Sequence, residues 1–199
     1  MILAFDTSSS ACTAALFDGS GTCVARSDEL IGRGHAERLV PMIGELMSGR
    51  SAEHILVGVG PGSFTGIRVA IAAAHGLAIG WGAELSGVSS LALIVAGHGA
   101  VAAAVQGGHG ELFVQQFDAA INPTTELHNA APAEAALLID AELVLGSGAP
   151  QLVAARGWGE AREGWPSATN ALALPETLRT LRPSPVYARA PDARVPEAA

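Results

Sequence analysis

What most restricts the fold is the order in which the hydrophobic pattern changes its period along the chain. Three short stretches of strand character precede the first helical one: residues 2–5, residues 11–17 and, after the turn Asp18-Gly19-Ser20-Gly21, residues 22–26. Alternation bounded by Gly, Asp and Ser marks strands, and the turn joins the last two as a hairpin. From about His35 the spacing becomes helical, with Leu39, Met42, Ile43 and Leu46 on one side. Pro41 lies inside this stretch, so either the helix kinks there or its first turn lies later. The run HILVGVG at 54–60 reads as a fully buried strand, and 67–81 as an apolar helix.

The second half repeats this order. Strands are predicted at 101–106, at 111–117 after the turn Gly107-Gly108-His109-Gly110, and around 125–128. A helix at 133–139 follows Pro132; a short strand at 143–145 is closed by Gly146-Ser147-Gly148, and a helix follows at 151–156. The same unit occurring twice indicates duplication, with the junction near 97–99. The predicted division is 1–98 and 99–199, the second part ending in a polar, proline-containing tail at 191–199 that is expected to be loose. Three hairpin-linked strands followed by a helix and a parallel strand is the ordering of a ribonuclease H-like lobe. Two of them make the α/β architecture of actin-like ATPases, each lobe a mixed sheet flanked by helices. Members of that class usually clamp a nucleotide between the lobes, with carboxylates at the ends of the two first strands holding a metal.

Composition restricts function further. All 11 basic residues are Arg, against 19 acidic ones, for a net charge of −8. Nucleic-acid backbones are bound through basic side chains that release counterions, and no basic stripe is present here. Any service to nucleic acid is therefore expected to run through a partner. Hydrophobic residues make up 49% of the chain, but no apolar run reaches the 18 or so residues of a membrane span. Cys12 and Cys23 flank the first hairpin turn on positions offset by about four residues, roughly 13 Å along the ladder, too far for a disulfide. They are expected to be buried free thiols of a reducing compartment, and the start of the chain lacks a secretory pattern, so the cytoplasm is expected.

Few residues invite chemistry. The loop Gly60-Pro61-Gly62-Ser63-Phe64-Thr65-Gly66 leaves a buried strand and opens a helix. It is either an anion cradle made of backbone N–H groups or a sharp turn with Ser63 or Thr65 as the cap. It lacks the Lys of a phosphate-binding P-loop and the third Gly of the dinucleotide fingerprint. Asp6 ends the first strand, where an actin-like ATPase keeps a metal carboxylate; the alternative is a turn-forming Asp. The matching place in the second half holds Gln106, which brings no negative charge for a hard cation. The six histidines are scattered without metal-ligand spacing. His35 and Glu37 are expected to be a solvent-exposed pair at a helix start. The helix at 67–81 is apolar on nearly every side and thin; its outer side is covered either by the chain's own first helix or by another subunit.

Residues 2–8 (ILAFDTS), His35-Ala36-Glu37, residues 39–43 (LVPMI), residues 58–68 (GVGPGSFTGIR), residues 88–91 (VSSL) and Pro185-Val186-Tyr187-Ala188-Arg189 together resemble the TsaB (YeaZ) family. The GPGSFTGIR stretch is the most specific of these. Its members are dimerisation subunits of the bacterial complex that makes N6-threonylcarbamoyladenosine in tRNA, and the family was formerly labelled an M22 glycoprotease. The resemblance implies a non-catalytic scaffold, with Asp6 a vestigial metal or phosphate position. It implies docking on a TsaD-like catalytic subunit, with a TsaE-like ATPase joining and tRNA touched only indirectly. ATP and metal would be used by those partners, and the chain alone would form a homodimer. The implied interface lies on the first-lobe helices, at His35, Leu39, Met42, Ile43, Leu46, Arg68, Ile71, Ala74, His75 and Ala78. Gln106-Gly107-Gly108 departs from the family's Asp-Ala-Arg-like stretch. A stand-alone actin-like ATPase or kinase, and a peptidase, are the alternatives; the second would need a nucleophile–base pair that the sequence does not reveal.

Overall fold

A computed structural model describes residues 1–187. Ala188, Arg189 and the tail 191–199 lie outside the described residues. The first sheet takes its strands in the order β3-β2-β1-β4-β5: β1 (Ile2–Asp6), β2 (Ala11–Phe17), β3 (Cys23–Leu30), β4 (His54–Gly58) and β5 (Glu84–Val88). Strand β1 pairs antiparallel with β2 and parallel with β4, and β5 continues the parallel side. The second sheet repeats this plan with β6 (Val101–Gln106) at its centre. On one side lie the antiparallel β7 (Leu112–Phe117) and β8 (His128–Ala130), on the other the parallel β9 (Leu143–Leu145) and β10 (Glu160–Arg162). Each half is thus the predicted mixed sheet, and the two-lobe α/β fold is established.

Period-two alternation decides which residues meet which layer. Leu3 and Phe5 point to the outer side of the first sheet, where α1 (His35–Met47) and α2 (Phe64–Trp81) lie; Ala4, Leu56 and Val88 point inward. Ala102 and Ala104 face α4 (Pro132–Leu138) and α5 (Ala149–Arg156), while Val101, Ala103 and Val105 face inward to meet the first lobe. Between the sheets sits α3 (Ser90–Val95), all six of its residues buried, capped by Ser89 through the Ala92 amide. Helix α1 runs unbroken through Pro41, which stands on its exposed side. The missing proline N–H leaves the Glu37 carbonyl four residues back without its helical partner, on the side where water can replace it.

The last described stretch returns to the first lobe. A 3-10 turn at Ala168–Ala173 packs on β1, β2 and β3, and the Ala168 amide donates to Thr13 Oγ1 at 3.0 Å. Beyond the short helix α6 (Glu176–Arg179), Leu181 bridges Gly87 and the Val186 amide donates to the Val59 carbonyl.

Several local expectations are corrected. Strand β5, helix α3 and strand β10 are additional to the sequence prediction, and the third strand of the second half lies at 128–130 rather than 125–128. Helix α2 begins at Phe64, earlier than expected, because Ser63 caps it by accepting from the Gly66 amide at 3.2 Å. A bulge between Leu16 and Phe17 shifts the hairpin, so Cys23 lies opposite Phe17 and Cys12 opposite Glu29. Both thiols are free, but only Cys12 is buried; Cys23 is exposed at the start of edge strand β3. His35 is buried as well, its Nε2 3.3 Å from the Ala11 carbonyl, because the first turn of α1 rests on β2.

Candidate functional site

The carboxyl ends of β1 and β4 in one sheet and of β6 and β9 in the other open on a common cleft of about 760 Å³. Open α/β sheets bind ligands off these strand ends. The serine turn after β1 (Ser8, Ser9, Ser10), the start of α2, and Gln106-Gly107-Gly108 with Ser147 form its walls.

Asp6 does not reach this cleft. It is wholly buried; its Oδ1 accepts from the Ser8 amide and the Ser8 hydroxyl, both at 2.7 Å, and its Oδ2 accepts from Ser90 Oγ at 2.5 Å. Ser90 Oγ also accepts from the Gly60 amide at 3.0 Å, so one carboxylate ties β1, the glycine loop and α3 together. Burial pushes the Asp6 carboxyl above the usual carboxylate range, against the pull of these donors and of His35. The turn-forming alternative describes this residue. Gln106 faces the cleft, but its amide N–H and side chain bond to Ser147, at 3.1 and 3.0 Å. Among the described residues no carboxylate lines the cleft, and no three His, Cys, Asp or Glu side chains come together as a metal site.

The glycine loop is built for contact with β1. A Cβ on Gly58 would lie 2.6 Å from Asp6 Cγ, and one on Gly66 would lie 3.0 Å from the Thr7 carbonyl carbon and overlap its oxygen. Thr7 Oγ1 donates to the Gly66 carbonyl at 2.7 Å, and the Ser63 amide donates to the Ser8 carbonyl at 2.6 Å. The amides of Gly60, Ser63, Gly66 and Ile67 are therefore all engaged within the protein. These contacts, with Ser63 as the cap, are those of a sharp turn held against β1.

The outer helices are where the expected interface has to be redrawn. Leu39, Met42, Ile43, Leu46, Ile71 and Ala74 are at most 8% exposed, packed into the lobe's own outer core with Leu3, Phe5 and Ile55. The apolar stripe of an amphipathic helix is the side its own sheet covers. What the pair presents outward is a second set: Val40, Pro41 and Gly44 on α1, and Arg68, Ala72, His75, Gly76 and Ile79 on α2, with Ala78 half-buried. Ile79 is 84% exposed and Val40 56%.

One arrangement was invisible in the sequence. His54 Nε2 lies 3.0 Å from Ser86 Oγ across β4 and β5. No carboxylate bonds His54 among the described residues, and the pair joins the first residue of β4 to the third of β5, away from the cleft. It is a cross-strand contact without an oriented base or a substrate pocket.

Fold and cleft together define a two-lobe, actin-like α/β protein whose first strand ends in a buried carboxylate. A family model described as TsaD, tRNA N6-adenosine threonylcarbamoyltransferase, matches residues 28–175. Over 127 residues, 58% of this chain, it is 39% identical to the tRNA threonylcarbamoyladenosine biosynthesis protein TsaB of Escherichia coli (strain K12). That match covers 54% of the relative, so the chain spans about half the length of the curated protein it resembles. Two structures from Pseudomonas aeruginosa superpose on it: a protein with similarity to the peptidase YeaZ (TM-score 0.80, 29% identity, 94% of this chain and 99% of that one) and YeaZ itself (0.78, 26%, 94% and 98%). The chain belongs to this family, in its TsaB/YeaZ branch.

Proposed function

We propose that this chain serves the formation of N6-threonylcarbamoyladenosine in tRNA as a non-catalytic subunit, docking on a TsaD-type transferase through the outward side of α1 and α2 and pairing with itself when alone. A TsaE-type ATPase joins the assembly in this reading, and ATP and metal are handled by the partners. The observation that carries it is the outer surface of α2, where Ala72, Gly76, Ile79 and Gly80 leave a slim apolar ridge open to solvent. Small residues let another helix approach closely, and an exposed apolar ridge gains by being covered. The cleft supports the non-catalytic part, since among the described residues it offers no carboxylate for metal-assisted phosphoryl chemistry. The lysine-free chain, at net −8, leaves the tRNA backbone to a partner.

The test is co-purification with a TsaD-type partner using Ile79→Glu and Val40→Glu, both on exposed positions and so expected to fold. Loss of the complex, with circular dichroism unchanged, supports the docking surface. Complex formation at wild-type level in the double variant refutes it. Sedimentation of the isolated chain reads self-association on the same surface.

A further inference from the structure

The cleft between the lobes has chemistry of its own and meets the proposed docking surface only at Arg68. Its volume of about 760 Å³ falls within the range of small-molecule sites. Apolar groups dominate the walls, with Phe64, Ile67 and Phe113 among them, and the polar lining is mostly serine hydroxyl. Among the described residues a single charged side chain lines it: Arg68.

That arginine is held in place. Its guanidinium stacks on the Phe64 ring at 3.4 Å, and its Nε and Nη2 donate to the Tyr187 hydroxyl at 3.2 and 3.0 Å. Both of these bonds end on one neutral oxygen. A guanidinium carries five N–H donors, and among the described residues none bonds the Nη1 edge and no carboxylate pairs with Arg68. In a chain of net charge −8, the described residues make this a cavity with a fixed positive group and no acidic side chain in its lining. Arginine held by stacking suits a planar carboxylate or a phosphate oxygen, because little freedom is lost on binding. The described lining also argues against a metal-bound triphosphate, whose cation would need carboxylates that none of the described lining residues supplies.

We infer that the cleft binds a small organic anion without a metal: an apolar or aromatic body among Phe64, Ile67 and Phe113, with one carboxylate or phosphate monoester on Arg68. The inference goes beyond the docking role; because Arg68 also stands on the outward side of α2, Ser10→Tyr, which leaves that side untouched, separates the two.

Calorimetry and amide-shift NMR on the full chain in EDTA test this, with adenosine monophosphate as the phosphate probe and indole-3-acetate as the carboxylate probe. Adenosine and inorganic phosphate serve as the two halves. The expected result is submillimolar binding of at least one anionic probe, weakened about tenfold or more in Arg68→Gln and abolished in Ser10→Tyr, which fills the cleft from the other wall. Whichever of the two binds identifies the anion. If neither binds at millimolar concentration, if both variants bind as the wild type does, or if binding appears only on adding magnesium, the inference fails. Ser10→Tyr carries the test by itself should Arg68→Gln not fold.

Discussion

Gly66 and Gly76 lie ten positions apart on one helix, yet adding a methyl group to each should act in opposite directions. At Gly66 a Cβ overlaps the Thr7 carbonyl, a backbone atom that cannot rotate away. To clear it, the start of α2 must move off the turn after β1. That movement opposes three hydrogen bonds: Thr7 Oγ1 to the Gly66 carbonyl (2.7 Å), the Ser63 amide to the Ser8 carbonyl (2.6 Å) and the Gly66 amide to Ser63 Oγ (3.2 Å). At about 1 kcal/mol each these amount to about 3 kcal/mol, and overpacking adds about 1 kcal/mol or more. The better helix propensity of Ala returns about 1 kcal/mol. Gly66→Ala should therefore destabilise by about 2–4 kcal/mol, which for a chain of this size lowers Tm by about 5–15 °C. At Gly76 nothing lies within 4 Å of the added atom, so Gly76→Ala should gain about 0.5–1 kcal/mol. Urea unfolding followed by circular dichroism reads both, at two protein concentrations so that self-association is separated from folding. Were the two substitutions to shift the midpoint in the same direction, or Gly66→Ala to cost less than about 0.5 kcal/mol, the close approach of loop and strand would not be what fixes this glycine.

Other measurements probe the interior. Burial holds the Asp6 carboxyl above its ordinary value of 3.8, so the native state binds the proton more tightly than the unfolded chain. Its contribution is then complete below that value and is lost as pH rises through the native one. Asp6→Asn removes this slope: its urea midpoint should gain on that of the wild type between pH 4 and pH 8, and a gap that closes in the opposite direction contradicts the assignment. Thr13→Val removes the acceptor of the buried Ala168 amide and the partner of Asp28, and should cost about 1–3 kcal/mol; thermal melts check this. With Cys23 exposed, and the Cys12 thiol buried and pushed up to about 11, a thiol reagent at pH 8 should label one cysteine per native chain quickly and the second only on unfolding. Two fast equivalents would place Cys12 outside the core.

How much of this was legible from the sequence follows from where the information is local. The hairpins are signalled by turn residues beside alternating strands, so both repeats of the strand order could be read directly. Residues 84–96 could not. In α3 both helix faces are buried between two sheets, so the amphipathic period vanishes and a short apolar run does not tell strand from helix. The return of the chain to the first lobe rests on contacts such as Ala168 with Thr13, 155 residues apart, for which no local signal exists. His35 misled for a related reason: at a helix start it looks exposed, yet a neighbouring strand covers it. On α1 the stripe Leu39, Met42, Ile43 and Leu46 identified the helix correctly, but its periodicity marks the side turned to the sheet. The outward side, Val40 with Pro41 and Gly44, carries no periodic signature of its own.

The repeated plan places two equivalent strand ends at one cleft, and among the described residues neither presents a carboxylate to it. In the second lobe Gln106 occupies the position and bonds its side-chain N–H to the Ser147 carbonyl. In the first lobe Asp6 is buried, and Gly58, lacking a side chain, leaves room for the carboxylate to sit inside the sheet. An acid so placed, holding Ser8, Ser90 and through Ser90 the Gly60 amide, fixes the position of the loop that starts α2. The same contacts that take Asp6 out of the cleft thus set where α2 begins and how its outward ridge is presented. In the proposed reading, a residue type that serves catalysis elsewhere in this architecture here positions an interface. That gives Asp6→Ala a distinct expectation: with three donors left unsatisfied and the start of α2 loosened, association through Ile79 and Val40 should weaken although neither residue has been touched.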